Sequence, residues 1–257
     1  MRINTNVGAL DATKNAFLNT MNTESSMRKL SSGLRISRAA DDAAGLSIAN
    51  KLRAQSRSLT VAASNAEQGN AMLQIAEGAA GTIQKILERQ KELIIQREST
   101  GNNSSVTGTL NAEISTLTSE VSRIVTATNF QGATVFTSLA FQVSDGTTGG
   151  SVTVDATLAA SSVTLAGTAS ISNVDTALDS INSVLASIGA GQNRLDYTVQ
   201  NLKSAVVNVK AAESTIRDVD MAEEMANYTK NNILTQAAQA MLSQANQSSQ
   251  SVLSLLR

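Results

Sequence analysis

The chain of 257 residues contains no proline, cysteine, histidine or tryptophan. Without cysteine, disulfides and thiolate metal sites are excluded. Without histidine the commonest general base and metal ligand is gone. An enzyme would have to work with carboxylates or lysine alone. Aromatic residues make up 2% of the chain, which argues against a compact core built on large rings. The net charge is −1, so there is no electrostatic case for nucleic acid or an acidic membrane surface. No apolar run has the length of a signal peptide at the N-terminus or of a membrane span elsewhere. A cytosolic chain is expected, or one that leaves the cell by a route that reads no cleavable signal.

What the chain does have is small residues and long apolar seams. Between positions 174 and 216, apolar side chains recur at alternating steps of four and three: Val174, Leu178, Ile181, Leu185, Ile188, Leu195, Val199, Leu202, Val206, Val209 and Ile216. Only Gln192 and Glu213 interrupt the series. Such regularity belongs to a long helix packed lengthwise on other helices. With no proline to break it, a rise of ~1.5 Å per residue gives a rod ~60 Å long. A rod cannot bury its own stripe, so it needs partners within the chain or across many chains.

A second seam runs through Ile48, Leu52, Leu59, Ala62, Ala66, Leu73, Ala76, Ala80, Ile83, Leu87 and Ile94, with Gln55, Gly69 and Gln90 at the remaining positions. After a turn at Gly101-Asn102-Asn103, a third helix carries Leu110, Ile114, Leu117, Val121 and Ile124, making a helical hairpin with the second. The period changes past Asn129. Short strands are expected at Thr134–Phe136, Phe141–Val143, Ser151–Val154 and Ser162–Leu165, separated by Asp145-Gly146 and Gly149-Gly150. Ser172 and Asp175 are expected to open the long helix, and Asp220 with Glu223 the last one.

At the chain ends, Ile3, Val7, Leu10, Phe17 and Met21 share one face of a helix interrupted by Lys14 and Glu24. A final seam runs through Leu234, Ala238, Met241, Ala245, Ser248, Val252 and Leu255. The residues from Ser31 to Gly45 read as an irregular link, with Asp41 or Asp42 capping the second helix. The fold class is therefore mainly α: a long antiparallel bundle or coiled coil of N- and C-terminal segments, with a small β-hairpin region. The terminal helices have matching lengths and should pair. A two-helix pair rarely buries enough to be stable in water, so they are expected to be ordered only when other subunits cover them. Val7, Leu10, Phe17, Leu234, Ala238, Met241, Ala245, Val252 and Leu255 are the candidate polymerisation seam. The acidic pairs at 41–42 and 218–224 suit caps and salt bridges better than a metal, because no other ligand type is present. No cofactor is expected.

Several blocks resemble bacterial flagellin. They are Met1-Arg2-Ile3-Asn4-Thr5-Asn6, Leu30-Ser31-Ser32-Gly33-Leu34-Arg35-Ile36 and Ala39-Ala40-Asp41-Asp42-Ala43-Ala44-Gly45. Farther on come Gly189-Ala190-Gly191-Gln192-Asn193-Arg194-Leu195, Ile216-Arg217-Asp218-Val219-Asp220-Met221-Ala222, and the final Val252-Leu253-Ser254-Leu255-Leu256-Arg257. Together they cover most of the chain except roughly 132 to 170. The resemblance implies an inner-core domain D0 at residues 1–44 and 218–257, and a helical domain D1 at 45–217 with a β-rich segment at about 131–171. It implies a homopolymer of many copies that forms an extracellular flagellar filament for motility. It also implies type III export without a cleavable signal, a partner chaperone and a filament cap. A hook–filament junction protein of the same superfamily is the alternative. One departure is Phe130-Gln131-Gly132, where many members have Phe-Asn-Gly.

The resemblance also implies a patch read by the animal Toll-like flagellin receptor. Its counterpart here is Leu87–Gln96, with Arg89 and Leu93 on it and Glu113 on the facing helix. Arg89 and Leu93, four apart, are expected to share a face. Glu88, Gln90 and Lys91 depart from the family's pattern. A solvated helix face with subunit contacts explains the same charges. The Ser/Thr-rich segment suits sugar attachment or plain strands alike.

Overall fold

A computed structural model of the chain describes residues 6–99, 103–144, 150–158 and 170–255. These residues form α1 (Val7–Ser32), α2 (Ala43–Arg97), α3 (Ser104–Ala127), β1 (Asn129–Phe130), β2 (Ala133–Thr134), β3 (Ser138–Gln142), β4 (Ser151–Asp155), α4 (Ile171–Arg217) and α5 (Met221–Leu255). The class is mainly α, with long antiparallel packing of α2 on α4 and of α1 on α5, and two small antiparallel sheets of two strands each. The chain divides into two compact units: a terminal unit of Met1–Ala54 with Val209–Arg257, and a central unit of Gln55–Asn208.

In the central unit the α4 seam is a burial stripe. Val174, Ile181, Ile188, Leu195 and Leu202 are buried, and Leu178, Leu185 and Val199 pack against the same cluster. The matching stripe on α2 mixes Ala62, Ala66, Ala76 and Ala80 with Leu73, Ile83 and Leu87. Small residues among large ones let the side chains interdigitate densely. Polar links fix the antiparallel register of the two helices. Lys91 Nζ meets Asp175 at 2.6 Å, Gln192 donates to Glu77 at 2.9 Å, Asn70 donates to Asp196 at 2.7 Å and Lys203 meets Glu67 at 2.8 Å.

α3 folds back on α2 as the expected hairpin. Asn103 caps it by accepting from the Ser105 N–H at 3.1 Å. The fully buried Gln90 donates through Nε2 to the Ile114 carbonyl at 3.3 Å and to Thr118 Oγ1 at 3.0 Å, tying the two helices. β1 and β2 join through Gln131 and Gly132, both at positive φ (51° and 85°). β3 pairs with β4 from Ser138–Asp155 to Gln142–Ser151. This hairpin seats on both long helices. Phe141 packs over Gly69 and Val154 over Gly191, where an added Cβ would lie 2.8 Å and 2.5 Å from those side chains.

The terminal unit joins α1 and α5 to the first turns of α2 and the last turns of α4. α1 ends at Gly33, whose φ of 69° suits a residue without a Cβ, and the Gly33 N–H donates to the Lys29 carbonyl at 2.8 Å. The link from α1 to α2 is irregular, as expected, and it is hydrogen-bonded. Leu34 and Asp218 form an antiparallel bridge; the Arg35 N–H donates to the Arg217 carbonyl at 2.7 Å and the Val219 N–H to the Gly33 carbonyl at 3.1 Å. The Arg35 guanidinium donates to the Ile216 carbonyl at 2.7 Å, satisfying an otherwise open C-terminal carbonyl of α4. Ile36 is buried beneath the link. Asp42, not Asp41, caps α2, accepting from the Gly45 N–H at 2.9 Å. Asp220 caps α5 through the Ala222 and Glu223 N–H groups, as expected.

Several expectations need correction. α4 opens at Ile171, with the Ser170 carbonyl taking the first helical N–H bonds, while Asp175 is engaged by Lys91 instead of capping. At the start of α2 the covered stripe is Gly45, Ala49, Leu52 and Ser56, and Ile48 and Gln55 are exposed; the sequence phase is off by one residue there. Val135 and Phe136 are buried but lie between strands, and β3 begins earlier than expected, at Ser138. Ile3, the expected strand Ser162–Leu165, the turn residues Gly101-Asn102 and Asp145-Gly146, and the side chains of Val252 and Leu255 lie outside the described residues.

Candidate assembly interface

α1 and α5 pack mostly through small and polar residues, with Leu30, Tyr228 and Leu242 as the large exceptions. On α1 a covered series repeats at steps of three and four: Ala9, Ala12, Ala16, Asn19, Thr23, Ser26 and Leu30. On α5 they are Glu224, Tyr228, Asn231, Thr235, Ala238, Leu242 and Ala245. Both series have heptad spacing, so they mesh along the pair. Its two ends are pinned by Asn6 Nδ2 donating to the Ala245 carbonyl at 3.0 Å and by Lys29 facing Glu224 at 3.9 Å. Short side chains let the helices approach but bury little apolar area.

Most of the large apolar side chains lie elsewhere. Val7, Leu10, Phe17 and Met21 form one outward stripe of α1, and Phe17 is 65% exposed. Leu18, Leu234 and Met241 line a groove of about 740 Å³ between α1 and α5, together with Ala12, Ala238 and Ala245. Met241 is 63% exposed and Leu234 41%. Among the described residues, the buried apolar side chains of the terminal unit are Ile36, Ala49 and Ala238, whereas the main core cluster runs from Ala62 to Leu202 in the central unit. Contiguous exposed apolar surface of this kind marks an interaction site.

The candidate seam read from the sequence therefore divides. Ala238 and Ala245 sit on the internal α1–α5 contact; Val7, Leu10, Phe17, Leu234 and Met241 face outward or into the groove. Sequence reasoning missed Leu18 and Ile233, both exposed. Leu18 directly follows Phe17, and a reading that allows one stripe per helix admits only one of the two.

The second candidate cluster lies on the central unit. Arg89 Nη1 donates to Glu92 at 2.9 Å and Nη2 to Glu113 at 3.3 Å. Glu92, then Glu113, hold the Arg89 guanidinium above its ordinary pKa. Leu93 does not join them. It is 1% exposed, inside the core, because the covered stripe of α2 is wide enough to take in Leu93 while Arg89 lies beyond its edge. Among the described residues no three acidic side chains gather as a metal site needs, and no helix is long and apolar enough to cross a membrane.

Comparison with known families agrees with this geometry. Residues 3–140 match the bacterial flagellin N-terminal helical region, and residues 171–256 match the bacterial flagellin C-terminal helical region. This chain belongs to the bacterial flagellin family. The flagellin of Bacillus subtilis (strain 168) is 39% identical over 304 residues, and the flagellin of Halalkalibacterium halodurans is 41% identical over 272 residues. The flagellar filament 33 kDa core protein of Treponema phagedenis is 38% identical over 286 residues. In each case the match spans 100% of both chains. Flagellins are structural proteins and not enzymes. In this member of the family the two matched regions are the helical segments on either side of β4, and they contribute one helix each to the α1–α5 pair.

Proposed function

We infer that this chain is a structural subunit of the extracellular bacterial flagellar filament and that its terminal unit is the part neighbouring copies bury. The observation that carries the reading is the contrast between the two seams. The covered positions of α1 and α5 are mostly small and polar, with Leu30, Tyr228 and Leu242 as exceptions, while Phe17, Met241 and their apolar companions stay open. A helix pair so thinly packed gains order from partners that bind only the folded form. The hook–filament junction reading is not favoured, because the relatives are flagellins and filament core proteins.

On this reading residues 1–44 and 218–257 act as the inner D0 domain and 45–217 as D1, with the β-rich segment at about 131–171. Export proceeds without a cleavable signal, with a chaperone covering the C-terminal helix and a cap at the growing tip. The exposed cluster of Arg89, Glu92 and Glu113 is the surface offered to the Toll-like flagellin receptor. Leu93 supports it from beneath. Loss of receptor-reporter response in Arg89→Ala monomer is the expected result, and an unchanged response contradicts this assignment.

The main test is growth of purified chain on filament seeds, read by electron microscopy. Wild type extends the seeds. Phe17→Asp and Met241→Asp fail to extend them while keeping the helical circular dichroism of the central unit. Normal filaments from either variant contradict the reading.

A further inference from the structure

We propose that the methionine thioethers of the terminal unit form a peroxide-sensitive control on assembly, open to modification in the free chain and sheltered once neighbouring copies cover them. The proposal rests on the filament reading above. The chain has seven methionines and no cysteine, so no thiol competes for a two-electron oxidant. Met21, Met27, Met221, Met225 and Met241 are 51%, 53%, 49%, 49% and 63% exposed, and all five belong to the terminal unit. Met72, in the central unit, is 8% exposed and part of the core cluster. Among the described residues the exposed methionines are thus gathered on the unit with the fewer buried apolar side chains. Met21 continues the outward stripe of Val7, Leu10 and Phe17, and Met241 lines the groove with Leu18 and Leu234.

The step is ordinary two-electron chemistry with hydrogen peroxide. A sulfur lone pair attacks one peroxide oxygen, the O–O bond breaks, and a sulfoxide and water result. Sulfur is oxidised by two electrons and the peroxide is reduced by two. The product is a polar acceptor where the apolar stripe had a thioether, and burying it without a donor is unfavourable. Oxidation therefore opposes burial by the next subunit. It leaves the central unit alone, because Met72 is enclosed. Sulfoxide reduction restores the surface, so the control is reversible.

The test treats monomer and preformed filament with hydrogen peroxide, maps the added oxygen by peptide mass spectrometry, and measures seeded growth. In the monomer, Met21 and Met241 gain oxygen well before Met72; in the filament they are protected. Oxidised monomer needs about tenfold or more concentration to extend seeds, the scale of one unpaired buried polar group. Methionine sulfoxide reductase returns growth to the untreated level. Each Leu variant is read against its own untreated form: in the variant with all five methionines changed to Leu, and in the milder Met21→Leu/Met241→Leu double variant, peroxide lowers seeded growth by a smaller factor than in wild type. Oxidised wild type growing like untreated protein overturns the proposal, as does equal sensitivity in both Leu variants. Untreated wild type failing to extend seeds overturns the filament reading itself, and this proposal with it.

Discussion

Phe141 stands over Gly69 so closely that a Cβ there would lie 2.8 Å from its ring, and Val154 crowds Gly191 in the same way at 2.5 Å. The β3–β4 hairpin is thereby seated in two notches, one on each long helix of the central unit. Gly69→Ala and Gly191→Ala are each expected to destabilise by about 1–3 kcal/mol through overpacking, although alanine is the better helix former. Gly78 has nothing within 4 Å of an added Cβ, so Gly78→Ala is expected to stabilise by up to about 1 kcal/mol. Urea midpoints by circular dichroism separate the three. Equal shifts in one direction would contradict the notch account.

Gln131 is the described non-glycine residue with positive φ, at 51°, in the two-residue loop between β1 and β2. Asparagine tolerates that conformation better, and Asn-Gly is the favoured pair for such a turn. Gln131→Asn is expected to raise stability by about 0.5–1 kcal/mol, the scale of relieving a strained backbone position. A thermal melt that stays put or falls counts against a strained loop.

The Asp41 carboxyl accepts from the Arg38 N–H at 2.9 Å and from the Ser37 N–H at 3.1 Å. The Arg38 backbone donor is the largest influence and lowers its pKa from 3.8, outweighing the opposing effect of burial. A depressed folded pKa means the stabilisation is complete above about pH 4 and is lost as pH falls through the folded value. Exchange protection of the Ser37 and Arg38 amides is expected to hold above about pH 4 and decline below it. Asp41→Asn should remove that acid dependence. Identical pH profiles for the two proteins contradict the assignment.

The central unit was legible in the sequence because it is self-sufficient. Val174, Ile181, Ile188 and Leu195 are large, regularly spaced and buried within one chain, so period and burial agree. Gln90 shows that a polar residue in a seam can still be core: it is fully buried and bonded to α3. The terminal unit was half legible. Hydrophobic periodicity assumes that the largest apolar residues face the nearest partner. Here Ala12, Ala16, Thr235 and Ala238 face it, and Val7, Phe17 and Met241 do not. The stripe was found, but the seam read from the sequence joined Ala238 and Ala245, which are covered, to Val7, Phe17 and Met241, which are exposed. Leu93 was misplaced by a related shortcut. Residues four apart lie on neighbouring parts of a helix, but the edge of the buried stripe passes between Arg89 and Leu93. The link from Gly33 to Asp42 is irregular as read, but its bonds to Arg217 and Asp218 were not legible, because those partners lie far away in sequence.

The central claim is that the α1–α5 pair reaches its full stability only among copies of the chain. Amide hydrogen exchange of the free protein and of the filament, compared residue by residue, tests it most directly. The account predicts fast exchange along α1 and α5 in the free protein and strong protection of both in the filament, with the α2–α4 core protected in each. Free protein whose α1 and α5 amides are already as protected as those around Leu73 and Ile188 would contradict it.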